Sequence, residues 1–365
     1  MQETEAVALA RHELEVCNAC RYCEGFCAVF PAVELRREFS AGDISYLANL
    51  CHNCRGCYYA CQYAPPHEWG INVPRTLGLV RAESYAEYAW PPALARAFQR
   101  NGVLVSLVTA GSLAFVLILV TALVTPTSLH GLWGMESGSF YRIIPLWLMQ
   151  VIGLVTFLFS AFAMGMGARA FWHDTAPHPP ITSQALGRAA WDVLTLRNLG
   201  GGGHGCNDNS ERFSMTRRWL HQAMFFGFLL CFASTCSGFV LHTFLGIEAP
   251  YDFLSVPVLL GTLGGIGLAV GAGGLFAMKL IDDPGPSARS LLGADVALLL
   301  LLALAALTGL ALLSLRETVA MGLTLAIHLG FILALFLVLP YSKMVHGIYR
   351  TAALLKAALE SAHKA

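Results

Sequence analysis

The sequence predicts an all-α protein in two unequal parts: a small cysteine-rich head of short helices, followed by a bundle of six membrane-spanning helices. Three observations lead there. Eight of the eleven cysteines fall within the first 61 residues. Beyond residue 102 long apolar runs dominate; over the whole chain 56% of residues are hydrophobic, 13% are charged and mean hydropathy is +0.59, far from a soluble average. No stretch of the head alternates apolar and polar residues as a strand would. The formal net charge is zero, so composition suggests neither a nucleic acid nor an acidic partner.

In chain order, residues 2–16 read as an amphipathic helix leading into the first cysteine. Two runs follow, Cys17-x2-Cys20-x2-Cys23-x3-Cys27 and Cys51-x2-Cys54-x2-Cys57-x3-Cys61. This is the bacterial ferredoxin spacing: three thiolates wrap one corner of a [4Fe–4S] cubane and the fourth leaves for the other cluster. Cys17, Cys20, Cys23 and Cys61 are therefore expected around one cluster, and Cys51, Cys54, Cys57 and Cys27 around the other. A disulfide framework would need an oxidising compartment, and nothing before Cys17 resembles a secretory signal. Zinc would favour C-x2-C pairs separated by a loop, with no use for a third and fourth cysteine at these spacings. The proline that usually follows the fourth cysteine is displaced to Pro31 and Pro65.

Between the runs, residues 32–39 and 43–50 read as short helices, with Ser40 or Asp43 as N-cap. Residues 64–74 form an irregular connection. Residues 75–100 read as a helix, a break at Pro91–Pro92, and a second amphipathic helix approaching the bilayer surface. The expected division is 1–74 for the dicluster domain, 75–102 for connecting helices, 103–345 for the membrane domain and 346–365 for a tail.

Six stretches meet the roughly 20 apolar residues that a bilayer core requires: about 103–125, 143–168, 219–245, 255–278, 291–314 and 320–341. Trp147, Trp172 and Trp219 flank two of them at interfacial positions. The fourth is glycine-rich, which favours close helix contact. Six arginines lie between residues 169 and 218, Lys279 and Arg289 between the fourth and fifth spans, and Lys343, Arg350, Lys356 and Lys364 after the sixth; Arg142 and Arg316 face the other side. The positive-inside rule then sets the head, the 169–218 loop and the C-terminus in the cytoplasm, across a bacterial inner membrane.

Ionisable residues within membrane spans are functional candidates by default. His221 and His242 belong to the third span, His328 and His346 to the sixth or its end. His328 and His346 are 18 residues apart, five turns of one helix face, and His221 and His242 are 21 apart. With the two helices antiparallel, His221 meets His346 at the inner level and His242 meets His328 at the outer level. Facing imidazoles of that kind can clamp b-type haem iron within an apolar bundle. Depth favours His242–His328 as the more secure pair. Ala233, Ser234, Thr235, Ser237 and Gly238 leave room for a macrocycle or simply for helix packing.

The remaining polar candidates have plainer expectations. His52 and His67 are expected at the head's surface, and His130, His173, His178 and His363 in loops or the tail. The run Gly200–Asp208, with four successive glycines, is either a flexible linker or a docking or electron-entry element that permits close backbone approach. Cys206 is expected as a lone reduced thiol, Cys231 and Cys236 as packing residues. Asp295 either relays a proton to a quinone or pairs with Arg289, and the pair is favoured.

Together these parts read as an N-terminal α-helical ferredoxin-like dicluster domain followed by a six-helix transmembrane cytochrome b-like bundle. No G-x-G-x-x-G follows a strand, so a flavin or nicotinamide site is expected on a separate protein. Over nearly its whole length the chain resembles the tricarballylate/citrate utilisation protein B family. The resemblance rests on the paired cysteine runs, residues 62–75 after them, the glycine loop and six spans with their histidines. The membrane part is also similar to the gamma subunit of respiratory nitrate reductase, which by resemblance points to His221, His242, His328 and His346 as haem ligands. The resemblance implies two [4Fe–4S] clusters, one or two haem b, and transfer of electrons from a partner FAD-dependent dehydrogenase of the tricarballylate dehydrogenase type to the quinone pool. Alternatives are a different flavoprotein donor, a heterodisulfide-reductase-like system, or a membrane redox sensor without turnover.

Overall fold

The computed structural model describes residues 1–94, 101–123 and 140–364. His130, residues 95–100 of the second amphipathic helix, and the side chains of Arg142 and Lys364 lie outside the described residues. Among the described residues the architecture is all-α, and the one β feature is an isolated bridge between Cys206 and Ser214.

The head is built from α1 (Glu5–Cys20), α2 (Val29–Val33), α3 (Ala41–Leu50), α4 (Gly56–Tyr59) and α5 (Val73–Glu87). Thr4 caps α1 by accepting from the Val7 amide. The helix runs past the expected end at residue 16, so Cys17 and Cys20 sit on its last turn. Ser40 is the N-cap of α3, and Asp43 returns the bond to the Ser40 amide in a capping box, so both candidate residues serve one device. Val7, Leu14, Ile44, Leu47, Leu77 and Val80 form a core with almost no solvent exposure.

The membrane body comprises α6 (Asn101–Leu123), the short α7 (Phe140–Ile143), α8 (Leu146–Asp174), α9 (Ser183–Leu194), α10 (Thr216–Leu245), α11 (Val256–Leu280), α12 (Leu292–Leu315) and α13 (Met321–Val338), and the chain ends in α14 (His346–Lys364). Six helices are long and apolar enough to cross a membrane, and they fall on the six expected stretches. They leave large apolar side chains facing outward, Leu107, Leu158, Phe244 and Ile266 among them, as a lipid-facing surface requires. α10 packs along α11 and α12 packs between α11 and α13. The α10–α11 seam depends on glycine: a Cβ at Gly227 would stand 2.4 Å from the Leu268 nitrogen, and one at Gly271 2.3 Å from the Met224 nitrogen. Backbones that close leave no room for a side chain.

Two expectations change here. Residues 346–365 are no free tail: Tyr349, Ala353 and Leu354 of α14 enter the head's core, Arg36 pairs with Glu360 at 2.6 Å, and Tyr349 stacks on Tyr85. The amphipathic pattern of α14 finds its apolar partner in the head. His328 and His346 also belong to different helices. Pro340 supplies no amide hydrogen, Ser342 is extended, and short 3-10 turns separate α13 from α14.

Candidate functional site

Both cysteine runs turn where a residue adopts the left-handed conformation. Arg21 (φ 56°) ends α1 with its amide on the Cys17 carbonyl at 2.8 Å, while Asn53 (φ 55°) and Arg55 (φ 66°) fold the second run back on itself. Burial pushes the Cys17 thiol up to about 12, helped by Cys23, Cys61 and Cys20 close by, and Cys23 likewise to about 12 beside Cys61 and Cys20. Burial pushes Cys27 and Cys57 well above the ordinary thiol range, helped by Cys54 and Cys51 at Cys27 and by Cys54, Cys27 and Cys51 at Cys57. Cys17 and Cys23 thus both feel Cys61 and Cys20, and Cys27 and Cys57 both feel Cys54 and Cys51, although the described residues show no ready-made metal-binding cluster. Cys54 also acts on Cys23, so the two sets adjoin. All eleven cysteines are free of disulfides. Neighbouring thiols that burial holds protonated suit an iron cluster, whose positive charge would hold them as thiolates.

The Gly200–Asp208 loop covers the second group. Gly201, Gly203 and Gly205 all have positive φ, a Cβ at Gly202 would stand 3.3 Å from both the Gly25 and Phe26 carbonyl oxygens, and the Asn207 amide donates to the Cys54 carbonyl at 2.9 Å. It is a fitted cover and not a flexible linker. Cys206 is fully buried, donates to the Leu199 carbonyl, and is pushed up to about 11 by burial, which makes it a structural thiol.

Arg55 fastens the head to the membrane body. Only 3% exposed, it forms a two-pronged ion pair with Asp282 in the α11–α12 loop, and donates to the Asp208 carbonyl and the Ser287 hydroxyl. Asn72 donates to the Gly285 carbonyl, and Arg217 at the start of α10 donates to the Asn53 carbonyl at 2.6 Å. The head, the 169–218 loop, the α11–α12 loop and α14 therefore all lie on one side of the bundle.

A cavity of about 520 Å³ opens at that junction, a size typical of ligand pockets. His221 of α10 and His346 of α14 line it with ring centroids 6.1 Å apart and planes at 82°. Two metal–nitrogen bonds of about 2 Å each, plus the half-widths of two imidazoles, come to about 6 Å. The His346 Nδ1 is engaged with the Lys343 carbonyl at 2.5 Å, leaving Nε2 as the open nitrogen, and the buried His221 Nδ1 has no partner. These residues fit a bis-histidine metal centre.

The outer histidines are not brought together. His242 packs on Tyr141 with centroids 5.2 Å apart, whereas His328 turns toward α12, its Nδ1 3.2 Å from the Thr308 hydroxyl. The preference between the pairs reverses, because α10 packs on α11 and makes no extensive contact with α13. Depth in the membrane, the ground for preferring the outer pair, says nothing about which helices touch.

His52, expected at the surface, is buried and lines the same cavity; its Nδ1 meets the Leu50 carbonyl at 2.7 Å, and burial with nearby Arg350 holds it well below the usual range. Asp295 pairs with Lys279 at 2.9 Å and with Lys343, not with Arg289. Those two lysines come from the end of α11 and the turn before α14, a convergence that the order of residues conceals. Sequence reasoning also missed Arg81 and Arg350. A signal existed: arginine stands one helical turn from histidine in both Arg217–His221 and His346–Arg350.

Comparison with known proteins bears on the head and on the membrane body as a whole. Residues 96–365 match the family described as Citrate utilization protein B, and residues 10–87 match the Citrate utilization protein B Fer4-like domain. The chain is 46% identical over 358 residues to Citrate utilization protein B of Escherichia coli, covering 98% of this chain and 93% of the relative. No solved structure matches it. Each half of the chain thus falls in its own part of one family, and the chain belongs to the citrate utilization protein B family.

Proposed function

We propose that this protein is the membrane electron-transfer component that reoxidises a partner flavoprotein dehydrogenase, of the tricarballylate dehydrogenase type, and delivers the electrons to a membrane quinone. Family membership, the Fer4-like head and six membrane-capable helices support the iron–sulfur membrane electron-transfer role. In this reading Cys17, Cys20, Cys23 and Cys61 hold one [4Fe–4S] cluster and Cys51, Cys54, Cys57 and Cys27 the other, while His221 and His346 hold a b-type haem. These groups, when bound, supply one-electron carriage. The chain's own residues fix the path: Arg21, Asn53 and Arg55 turn the cysteine runs inward, the glycine loop keeps water from the second run, and Arg55–Asp282 holds the head against the bundle. The positive-inside distribution of Lys and Arg supports a head, and with it a donor, on the cytoplasmic side of a bacterial inner membrane. We take 1–74 as the dicluster domain, 75–102 as connecting helices and 103–345 as the membrane domain, with α14 as the strap between them.

The observation that carries this reading is the contact between the two halves. Arg350, four residues from His346, donates to the Cys51 carbonyl at 2.8 Å, so the second cysteine run abuts the cavity of the histidine pair. The buried, unpartnered Nδ1 of His242 favours a further haem at the outer level, which would require His328 to leave Thr308. The test is the reduced-minus-oxidised spectrum with iron and haem counted per chain, on the wild type, His221→Ala and His328→Ala. Eight cluster irons and a haem lost in His221→Ala are expected. A spectrum without haem in the wild type would sink the membrane relay, and an additional haem lost in His328→Ala would establish the outer site.

A further inference from the structure

The junction cavity is overfilled with positive charge. Seven Lys and Arg side chains line it against four Asp. Arg55 is matched with Asp282, and both Lys279 and Lys343 with Asp295. Arg81 and Arg350 have no carboxylate partner among the described residues. Their bonds go to carbonyl oxygens: both donate to Cys51, Arg350 at 2.8 Å, and Arg350 also reaches Asn49 at 3.3 Å. Arg217 is 3.9 Å from Asp208 and donates mainly to the Asn53 carbonyl at 2.6 Å. Three guanidiniums thus converge on the Cys51–Asn53 backbone in a cavity that His221 and His346 also line. A guanidinium has five N–H donors, so most of their donors remain open. Buried cations are rarely left together without an anion. Burial and the neighbouring Arg81 already draw Arg350 down to about 10.

Resting on the reading of His221 and His346 as haem ligands, we propose that Arg81 and Arg350, with Arg217 beside them, bind the two carboxylates of that tetrapyrrole. The geometry sets the register: Arg217 and His221 share one face of α10, and His346 and Arg350 one face of α14, each a single turn apart. Histidines then hold the ring centre and arginines its acidic edge. Arg81 and Arg350 already grip the Cys51 carbonyl, so the same two side chains would join the ring edge to a candidate cluster ligand. They are positioning residues. The match is also one of number, with two arginines lacking a carboxylate partner, Arg81 buried and Arg350 half-buried, and two carboxylates on the ring. Arg350 donates by Nε and one terminal nitrogen to carbonyls, which leaves the other terminal nitrogen for a carboxylate.

The test is reconstitution of the full chain, made haem-free in haem-deficient cells and held in detergent micelles, with haem b or with its dimethyl ester. The wild type is expected to bind the ester about 10- to 100-fold more weakly, the range of one or two charge-assisted hydrogen bonds. In Arg81→Gln and Arg350→Gln that difference shrinks, and haem b itself gives a midpoint potential shifted downward, because a nearby cation favours the reduced iron. Arg350→Lys keeps the charge and should recover most of the potential. Cluster iron in each variant certifies the fold. Equal affinity for acid and ester in the wild type, with potentials unmoved in both Gln variants, would overturn the assignment. Failure of the wild type to bind either tetrapyrrole would instead remove the haem reading beneath it.

Discussion

Arg55 offers the sharpest test of how the head is held. Replacing it by alanine removes both prongs of the Asp282 pair, the 2.8 Å bond to Ser287 and the bond to the Asp208 carbonyl at 2.5 Å. Adding four bonds at face value would overshoot, since each is exchanged for water. What decides the cost is the carboxylate left behind. Asp282 is 16% exposed and keeps Lys279 at 3.9 Å, so it is neither fully stranded nor freely hydrated. The loss should fall near the low end for breaking a buried pair, about 3 kcal/mol, or roughly 150-fold in the docking equilibrium. The assay is denaturant unfolding of the full chain in micelles, followed by the visible absorbance of the head, on Arg55→Ala, Asp282→Asn and the double variant. A coupling of about 1.5 kcal/mol or more is expected. Single effects that add within about 0.5 kcal/mol would refute the pair as the clamp. pH provides a second check. Burial opposes ionisation of Asp282, but the Arg55 hydrogen bond and charge outweigh it and hold the carboxyl below its usual range. A depressed folded value means the stabilisation is complete above the unfolded pKa of about 3.9 and is lost as pH falls through the folded value. The Arg55→Ala penalty should therefore be constant near neutrality and vanish in acid.

Three further outcomes can be measured. Gly205→Ala faces a positive φ of 114° and a Cβ 2.4 Å from the Ser214 oxygen, whereas Gly203→Ala faces only its φ of 110°; the first should cost at least about 1 kcal/mol more and release cluster iron to a chelator faster, and equal release would refute the fitted cover. Gly271→Ala should force α10 from α11, destabilise by about 2 kcal/mol or more as an overpacked seam and so lower the thermal midpoint in micelles, while Gly273→Ala, with open space around it, serves as the silent control. Asp295→Asn strands Lys343 and leaves Lys279 only Asp282 at 3.9 Å, and should destabilise by about 3 kcal/mol; restoration by Lys343→Met in the same chain would identify the stranded cation as the cause, and no recovery would reject it.

Much of this protein is legible in the residue order. The cysteine spacing, the six spans and the Ser40–Asp43 cap are local patterns, in which neighbours along the chain carry the chemistry. So are His221 and His346 as a candidate pair, although the helix argument behind their register failed at Pro340 and Ser342. The tertiary structure decided what touches what across long separations. It turned the expected tail into α14, a strap on the head, because an amphipathic helix takes its partner from whatever apolar face it reaches. It assigned Asp295 to Lys279 and Lys343, and moved His52 from the surface into the junction cavity. It separated His242 from His328, since small residues draw α10 onto α11 and not onto α13. Ion pairs and helix contacts of this kind depend on three-dimensional distance, which hydropathy and spacing along a chain do not encode.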